Sequence, residues 1–213
     1  MRTSTTNANE IKKHRLCYKI LAAAVWILVW QLASMWLKQE ILLASPVSVI
    51  RRLGQLIVTA DFWRSIGFSF GRIVLGFTLA LVLGTLLAAL SYGFSAVEIL
   101  MDPLITVIKA TPVASFIILC LIWIPSRNLS VFISFLMVFP VVYTNLLEGL
   151  RQTDKQLLEM ADSFGAGLGK KVEFVYLSQV MPYAATACKL GLGLCWKAGI
   201  AAEVIGIPTG SIG

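Results

Sequence analysis

Five long apolar runs leave this chain one kind of fold. They cover about residues 20–37, 73–92, 104–124, 129–147 and 184–207. A bilayer's hydrocarbon core is crossed by about 20 helical residues, and each run is near that length. In lipid the backbone must satisfy its own hydrogen bonds, so a spanning segment is a helix or part of a closed barrel. The runs lack the period-two alternation of barrel strands. The chain is 58% hydrophobic and 14% charged, whereas a soluble domain carries about 25% charged residues. The expectation is an all-α integral membrane protein, a polytopic helical bundle of about five transmembrane helices.

The net charge of +7 would suggest nucleic acid for a soluble protein. Here the basic residues lie between the apolar runs or at their ends, so membrane orientation explains them and no nucleic-acid partner is expected. Residues 1–16 form a polar tail, with Lys12, Lys13 and Arg15 before the first run. That run is too long and too rich in tryptophan for a cleavable signal peptide. The tail is placed in the cytoplasm, and residues 17–213 form the membrane domain. Four spans later the segment 153–183, flanked by Arg151 and carrying Lys155, Lys170 and Lys171, also falls inside. Lys38, Arg51, Arg52 and Arg64 fall outside on this count, against the charge rule, and the inside turn near Glu98 and Asp102 has no basic residue. The four cysteines show no C-x2-C spacing and His14 is the lone histidine. A structural metal site needs four converging ligands, so none is expected.

Between the first two runs, Ser45-Pro46 reads as a helix start. Val47, Ile50, Leu53 and Ile57 then recur at helical spacing, with Arg51 and Arg52 off that stripe. This predicts an amphipathic helix lying on the membrane or on other spans. Phe62 and Trp63 suit the interface level. In the second run Gly76, Ala80, Gly84 and Ala88 recur every four residues, which lets another helix approach closely. Pro112 and Pro140 should kink the third and fourth spans. Such kinks suit a pathway or a gate, and equally a purely structural bend.

The polar segment 153–183 stands out between two apolar runs. Thr153 to Gln156 has the form of a capping box. Leu157, Ala161, Phe164 and Leu168 then make one apolar face, with Asp154, Lys155, Asp162 and Ser163 largely off it. Gly165 permits a turn or a close backbone contact. The spacing predicts a short amphipathic helix, a glycine break and a second helix up to Pro182. Periodicity alone leaves an interfacial helix on lipid headgroups as an equal reading.

Glu159, Ala161, Gly165, Val175 and Leu177 follow the spacing E-x-A-x3-G-x9-[IV]-x-L. This resembles the EAA loop of the binding-protein-dependent permease family of bacterial ABC importers, nearest its nitrate, taurine and alkanesulfonate branch. Asp154, Leu157, Leu158, Ala166, Pro182 and Tyr183 extend the match. Met160 departs from it where the family has alanine, and Ser178 where it has proline. The first substitution is expected to crowd a tight helix contact, and the second to remove a rigid turn. Elsewhere Leu43-Ala44-Ser45-Pro46, the R-x-x-x-G-F pattern within residues 71–84, Asp102-Pro103, Thr111-Pro112, Phe139-Pro140 with Asn145, Trp196-Lys197 and Ala201-Ala202-Glu203 resemble family patterns.

The resemblance implies a permease in the bacterial plasma (inner) membrane that works by alternating access. It implies two ABC ATPase subunits, a second permease copy as a homodimer, and an extracytoplasmic solute-binding protein. Leu157, Leu158, Glu159, Ala161, Phe164, Gly165 and Ala166 would couple to the ATPase. ATP would be bound by that partner, and this chain would hold no cofactor. Family members continue beyond the segment 206–213 into one more span, so a truncated or frameshifted permease is expected. The substrate implied is a small solute of the nitrate or sulfonate kind.

Charges at membrane depth are costly and face protein or water. Lys109 lies about two turns into the third run and can snorkel. Lys197 and Glu203 are six residues apart, off the spacing of a helical pair, so each needs a partner elsewhere. Thr111, Pro112, Asn145, Lys197 and Glu203 are the candidates for lining a pathway. An intramembrane enzyme would need a converging nucleophile, base or metal, and Ser, Asp and Cys form no such constellation. No enzymatic activity is expected of the chain itself. The alternative function is an ATP-independent scaffold or channel.

Overall fold

The structure, a computed structural model, describes residues 4–37 and 43–212, with side chains described from residue 18 onward. Lys38 and the side chains of Lys12, Lys13, His14, Arg15 and Cys17 lie outside the described residues. Those described are helical with no strand. The chain divides into two units, Met1–Phe62 and Trp63–Gly213.

The first unit holds α1 (Ser4–Leu37) and α2 (Pro46–Leu56). Helix α1 runs without a break from Ser4 in the polar tail into the apolar stretch Tyr18–Leu37. Helix α2 starts where Ser45-Pro46 predicts. Ser45 Oγ accepts the Ser48 amide at 3.1 Å and Pro46 sits in the first turn, where its missing N–H costs nothing. Val47, Ile50 and Leu53 are exposed, as an amphipathic helix at a membrane surface requires.

The second unit is built on α3 (Ala60–Gly93), α4 (Ser95–Ala110), α5 (Val113–Cys120), α6 (Ser126–Arg151), α7 (Lys155–Ser163), α8 (Leu168–Lys171) and α9 (Leu177–Gly206), with α3 starting just before the boundary. Among the described residues three helices are long and apolar enough to cross a membrane: Tyr18–Leu37, α3 and α6. Counting the bent pair α4–α5 as one span makes four. The expected third span, 104–124, is not one helix: α4 and α5 meet at a 104° bend. Pro112 has no amide to continue α4 and drives the residue before it out of helical space. Thr111 and Pro112 are both extended, at ψ 127° and 129°. A break stands where a kink was expected. By contrast α6 runs unbroken through Pro140. The fifth run, expected at 184–207, is part of the longer α9, which passes through Pro182. Helix α9 has the length of a span but carries Lys189, Lys197 and Glu203, and it is not among the helices apolar enough to cross.

The core forms where α3, α6 and α9 meet. Helix α3 buries Ser69, Ile73, Gly76, Ala80, Gly84, Ala88 and Ser91, so the four-residue seam read in the sequence extends a turn or two at each end. A Cβ on Gly76 would overlap the Val131 carbonyl oxygen, and one on Gly84 would sit 2.8 Å from Val142 Cγ1. Helix α9 offers a second small-residue face. A Cβ on Gly199 would lie 2.6 Å from Ser134 Oγ and 2.7 Å from Ile73 Cγ1. Ser130 Oγ donates to the Gly199 carbonyl and Ser134 Oγ to the Cys195 carbonyl, each at 3.2 Å. Helices in lipid gain nothing from merely hiding apolar surface, so this close packing with interhelical hydrogen bonds is what holds them together.

Candidate functional site

The loop after α6 is built by its caps. Asp154, not Thr153, is the N-cap of α7: its carboxylate accepts the Gln156 amide at 2.8 Å. Thr153 is buried and donates backwards to the Gly149 carbonyl at 3.3 Å. The capping box expected at Thr153–Gln156 is therefore corrected by one residue. Both side chains can cap, and Thr153 is already engaged by the end of α6. Helix α7 ends in a Schellman motif, with the Ala166 amide on the Ala161 carbonyl and the Gly165 amide on the Asp162 carbonyl, both at 2.9 Å. Gly165 sits at φ +67° in open space. Its freedom serves the turn, and among the described residues nothing approaches it closely. Lys171 pairs with Asp162 across that turn.

The helical face read in the sequence divides in two. Leu157, Leu158, Ala161 and Ala166 are half-buried, while Glu159 is exposed. Phe164 is 84% and Leu168 81% exposed, with Met160, Val172 and Phe174 also exposed. Met160 thus lies on the outer surface of the loop and crowds no contact within this chain. A π-helical turn, Val172–Tyr176, joins α8 to α9. Just beyond it, Ser178 Oγ donates to the Phe174 and Val175 carbonyls at 3.0 and 2.9 Å. The helix continues through residue 178.

Three contacts lie at the base of the loop, one between α6 and α4 and two that involve the loop segment itself. Arg151, closing α6, pairs with Glu98 in the first turn of α4. The hydroxyls of Tyr176 and Tyr92 lie 3.4 Å apart, with their rings edge to face. That hydrogen bond first, and burial second, push the Tyr176 phenol up to about 12, so it stays protonated at physiological pH. Gly149 packs on the Tyr183 ring, 2.9 Å from where its Cβ would be.

The pathway candidates do not all converge. Glu203 is fully buried, and its partners are on α3. Ser69 Oγ donates to its Oε2 at 2.5 Å and Arg72 Nη1 stands 3.7 Å from its Oε1. Ser69 Oγ in turn accepts the Ile212 amide at 3.0 Å. These partners, 134 residues away for Ser69, were missed in the sequence. The available signal was that Ser69 and Gly76 lie seven residues apart on one seam, with Arg72 heading the R-x-x-x-G-F pattern. Asn145 donates to the Val141 carbonyl of its own helix at 2.8 Å. Lys109 reaches Thr144 Oγ1 at 3.4 Å. Thr111 donates back to Val107 at 2.7 Å. Lys197 lines a groove of about 330 Å³ with Val113 and Ala114, the residues just after Pro112. No group of three or more His, Cys, Asp or Glu placed to hold a metal occurs among the described residues.

The family model described as the binding-protein-dependent transport system inner membrane component matches residues 80–213, well over half the chain and the whole of the 153–183 loop. The chain belongs to this family. It is similar to a Bacillus subtilis (strain 168) protein named as an aliphatic sulfonates transport permease, 27% identical over 96% of this chain and 77% of the relative. An Escherichia coli (strain K12) protein of the same name is 30% identical over 90% of this chain and 76% of the relative. The taurine transport system permease of that strain is 27% identical over 87% and 69%. The chain is thus the permease subunit of an ABC importer, a multi-pass inner-membrane protein.

Proposed function

We propose that the loop from Asp154 to Tyr176 is the surface through which ATPase subunits drive this permease. The observation that carries this reading is the pair Phe164 and Leu168, each more than four-fifths exposed on a loop otherwise rich in charge. The loop is capped by Asp154 and tied internally by Lys171–Asp162, which supports a protein partner for these side chains. Leu157, Leu158, Ala161 and Ala166 seat the helix, Glu159 faces out beside the apolar pair, and Gly165 sets the angle between the two short helices. ATP-driven closure of two partner subunits would push on α7. The push would reach α6 and α4 through Arg151–Glu98, and α3 through Tyr176–Tyr92. ATP stays in the partner and this chain supplies no cofactor.

A second copy of the chain completes the pathway, a solute-binding protein docks at the end away from the loop, and the N-terminus lies in the cytoplasm with the loop. Thr111, Pro112 and Lys197 line the route of the solute, with Asn145 and Glu203 supporting it. The names of the relatives support a small organic anion as cargo. Co-expression of the tagged chain with the ATPase of its transport system tests the reading. The wild type should retain the ATPase through purification, and Phe164→Asp with Leu168→Asp should lose it. Failure of the wild type to retain any ATPase overturns the proposal.

A further inference from the structure

Between α3 and α6, at the end away from the loop, a polar groove runs into an apolar one. The polar part, about 280 Å³, is walled by Gly67, Phe68, Gly71 and Arg72 on α3 and by Arg127 and Asn128 on α6. Val131 lines it too, and also lines the apolar part, about 220 Å³, with Leu79, Leu83, Phe132 and Phe135. Gly67, Gly71, Leu75, Leu79 and Leu83 follow one another at four-residue spacing, so a single row of α3 borders both parts. Arg72 directly precedes the apolar run 73–92, and Arg127 and Asn128 precede the run 129–147. The polar part therefore sits at the level of a membrane interface. From Arg72 to Leu83 the helix rises about 16 Å, near half of a hydrocarbon core of about 30 Å. The groove has the depth of one leaflet.

Three observations set it apart from apolar surface that any lipid would wet. The first is charge. The Arg127 side chain has neither an ion pair nor a hydrogen bond among the described residues. Arg72 stands 3.7 Å from Glu203 and over the Phe68 ring, 5.8 Å from its centroid, and its Nη1 has no hydrogen bond there. Two guanidiniums against one carboxylate leave one positive charge. The second is empty space. A Cβ on Gly67 or Gly71 would meet nothing within 4 Å, whereas one on Gly76 or Gly84 would collide with α6. Glycine inside a helix is a cost; packing explains it at Gly76 and Gly84, but within the bundle nothing needs the room left at Gly67 and Gly71. The third is sidedness. In the orientation proposed above these arginines face the outer side, where the charge rule does not call for them.

We propose that this groove holds one anionic phospholipid, with its phosphodiester on Arg127 and Arg72 and an acyl chain along Leu75, Leu79 and Leu83. A guanidinium is weakly hydrated, and its fork of donors matches phosphate oxygens. A phosphodiester carries one negative charge, equal to the one left over here. A free anion would satisfy the arginines and leave the leucine row and Phe135 uncovered; a lipid meets both parts at once. Held this way, it ties the outer ends of α3 and α6 together. The site goes beyond the permease reading and does not depend on what drives the transporter.

The test is native mass spectrometry of the full chain in detergent, titrated with dioleoylphosphatidylglycerol, with dioleoylphosphatidylcholine, and with glycerophosphoglycerol, the headgroup without its chains. The wild type should retain one phosphatidylglycerol per chain at a concentration at least about tenfold below that needed for phosphatidylcholine, as a charge-assisted contact would give. Arg127→Gln should erase that preference and Arg127→Lys should keep part of it. Gly71→Leu, which fills the groove where the bundle leaves open space, should lose the adduct while melting in lipid-free detergent stays unchanged. Glycerophosphoglycerol should not displace the lipid. Equal retention of the two lipids by the wild type overturns the proposal, as does an undiminished preference in Arg127→Gln. Displacement by glycerophosphoglycerol at the concentration of the lipid itself would make this a free-anion site, and conversion of a dimer to monomers by Gly71→Leu would make it the seat of a second copy. Either result overturns the lipid assignment.

Discussion

The α3–α6–α9 seam and the loop after α6 treat side-chain size in opposite ways. In the seam, glycine and alanine are buried so that backbones touch, and a methyl group on Gly76 has nowhere to go. In the loop, large apolar side chains stand in the open, and its one left-handed glycine, Gly165, has empty space around it. The seam packs within one chain. On the proposed reading the loop is completed by a partner. The same residue type therefore has two meanings, close packing in one place and backbone angle in the other.

That difference is broken most severely at Glu203. Its removal by Glu203→Ala strands Arg72 and Ser69 inside the bundle, and loss of one partner of a buried pair costs about 3–5 kcal/mol. The thermal midpoint in detergent should fall sharply, and Arg72→Ala added to Glu203→Ala should recover part of the loss. Gly76→Ala comes next, at about 1–3 kcal/mol for overpacking, because the obstacle is a backbone carbonyl rather than a movable side chain. Both changes should lower stability before they touch the loop.

Gly165→Ala should do the reverse. A side chain at φ +67° costs about 1–2 kcal/mol locally, so the Schellman turn should open while the bundle's melting stays as it was. The reading is checked by ATPase stimulation, which should drop several-fold beside an unchanged melting curve. The smallest effect is expected of Lys171→Gln. Its pair with Asp162 leaves the carboxylate mostly exposed, and such pairs contribute less than about 1 kcal/mol. Stimulation should weaken slightly, more so at low salt.

Much of this comparison was legible before any coordinates. The seam at Gly76, Ala80, Gly84 and Ala88 follows from spacing alone, because burial on a helix has a fixed period. The exposed Phe164 was harder. Periodicity placed it on the apolar face with Leu157 and Ala161, but only the turn at Gly165 shows that it points away from the bundle. The N-cap fell to Asp154 because Thr153 had a competing partner in the Gly149 carbonyl, which sequence spacing does not reveal. The break at Thr111-Pro112 was visible as a proline, yet its 104° depth depends on both residues being extended. Glu203 could be read as needing a partner, but the partner lay on α3, where the seam register of Ser69 and Arg72 was the one faint pointer to it.

Photocrosslinking from position 164 tests the central claim most directly. A photoreactive residue in place of Phe164 should capture the ATPase in membranes. The same residue in place of Trp123, equally open at 80% exposure but beyond the other end of α6, should not. ATPase adducts at Trp123 and none at Phe164, or equal adducts at both, would contradict the assignment of the loop as the coupling surface.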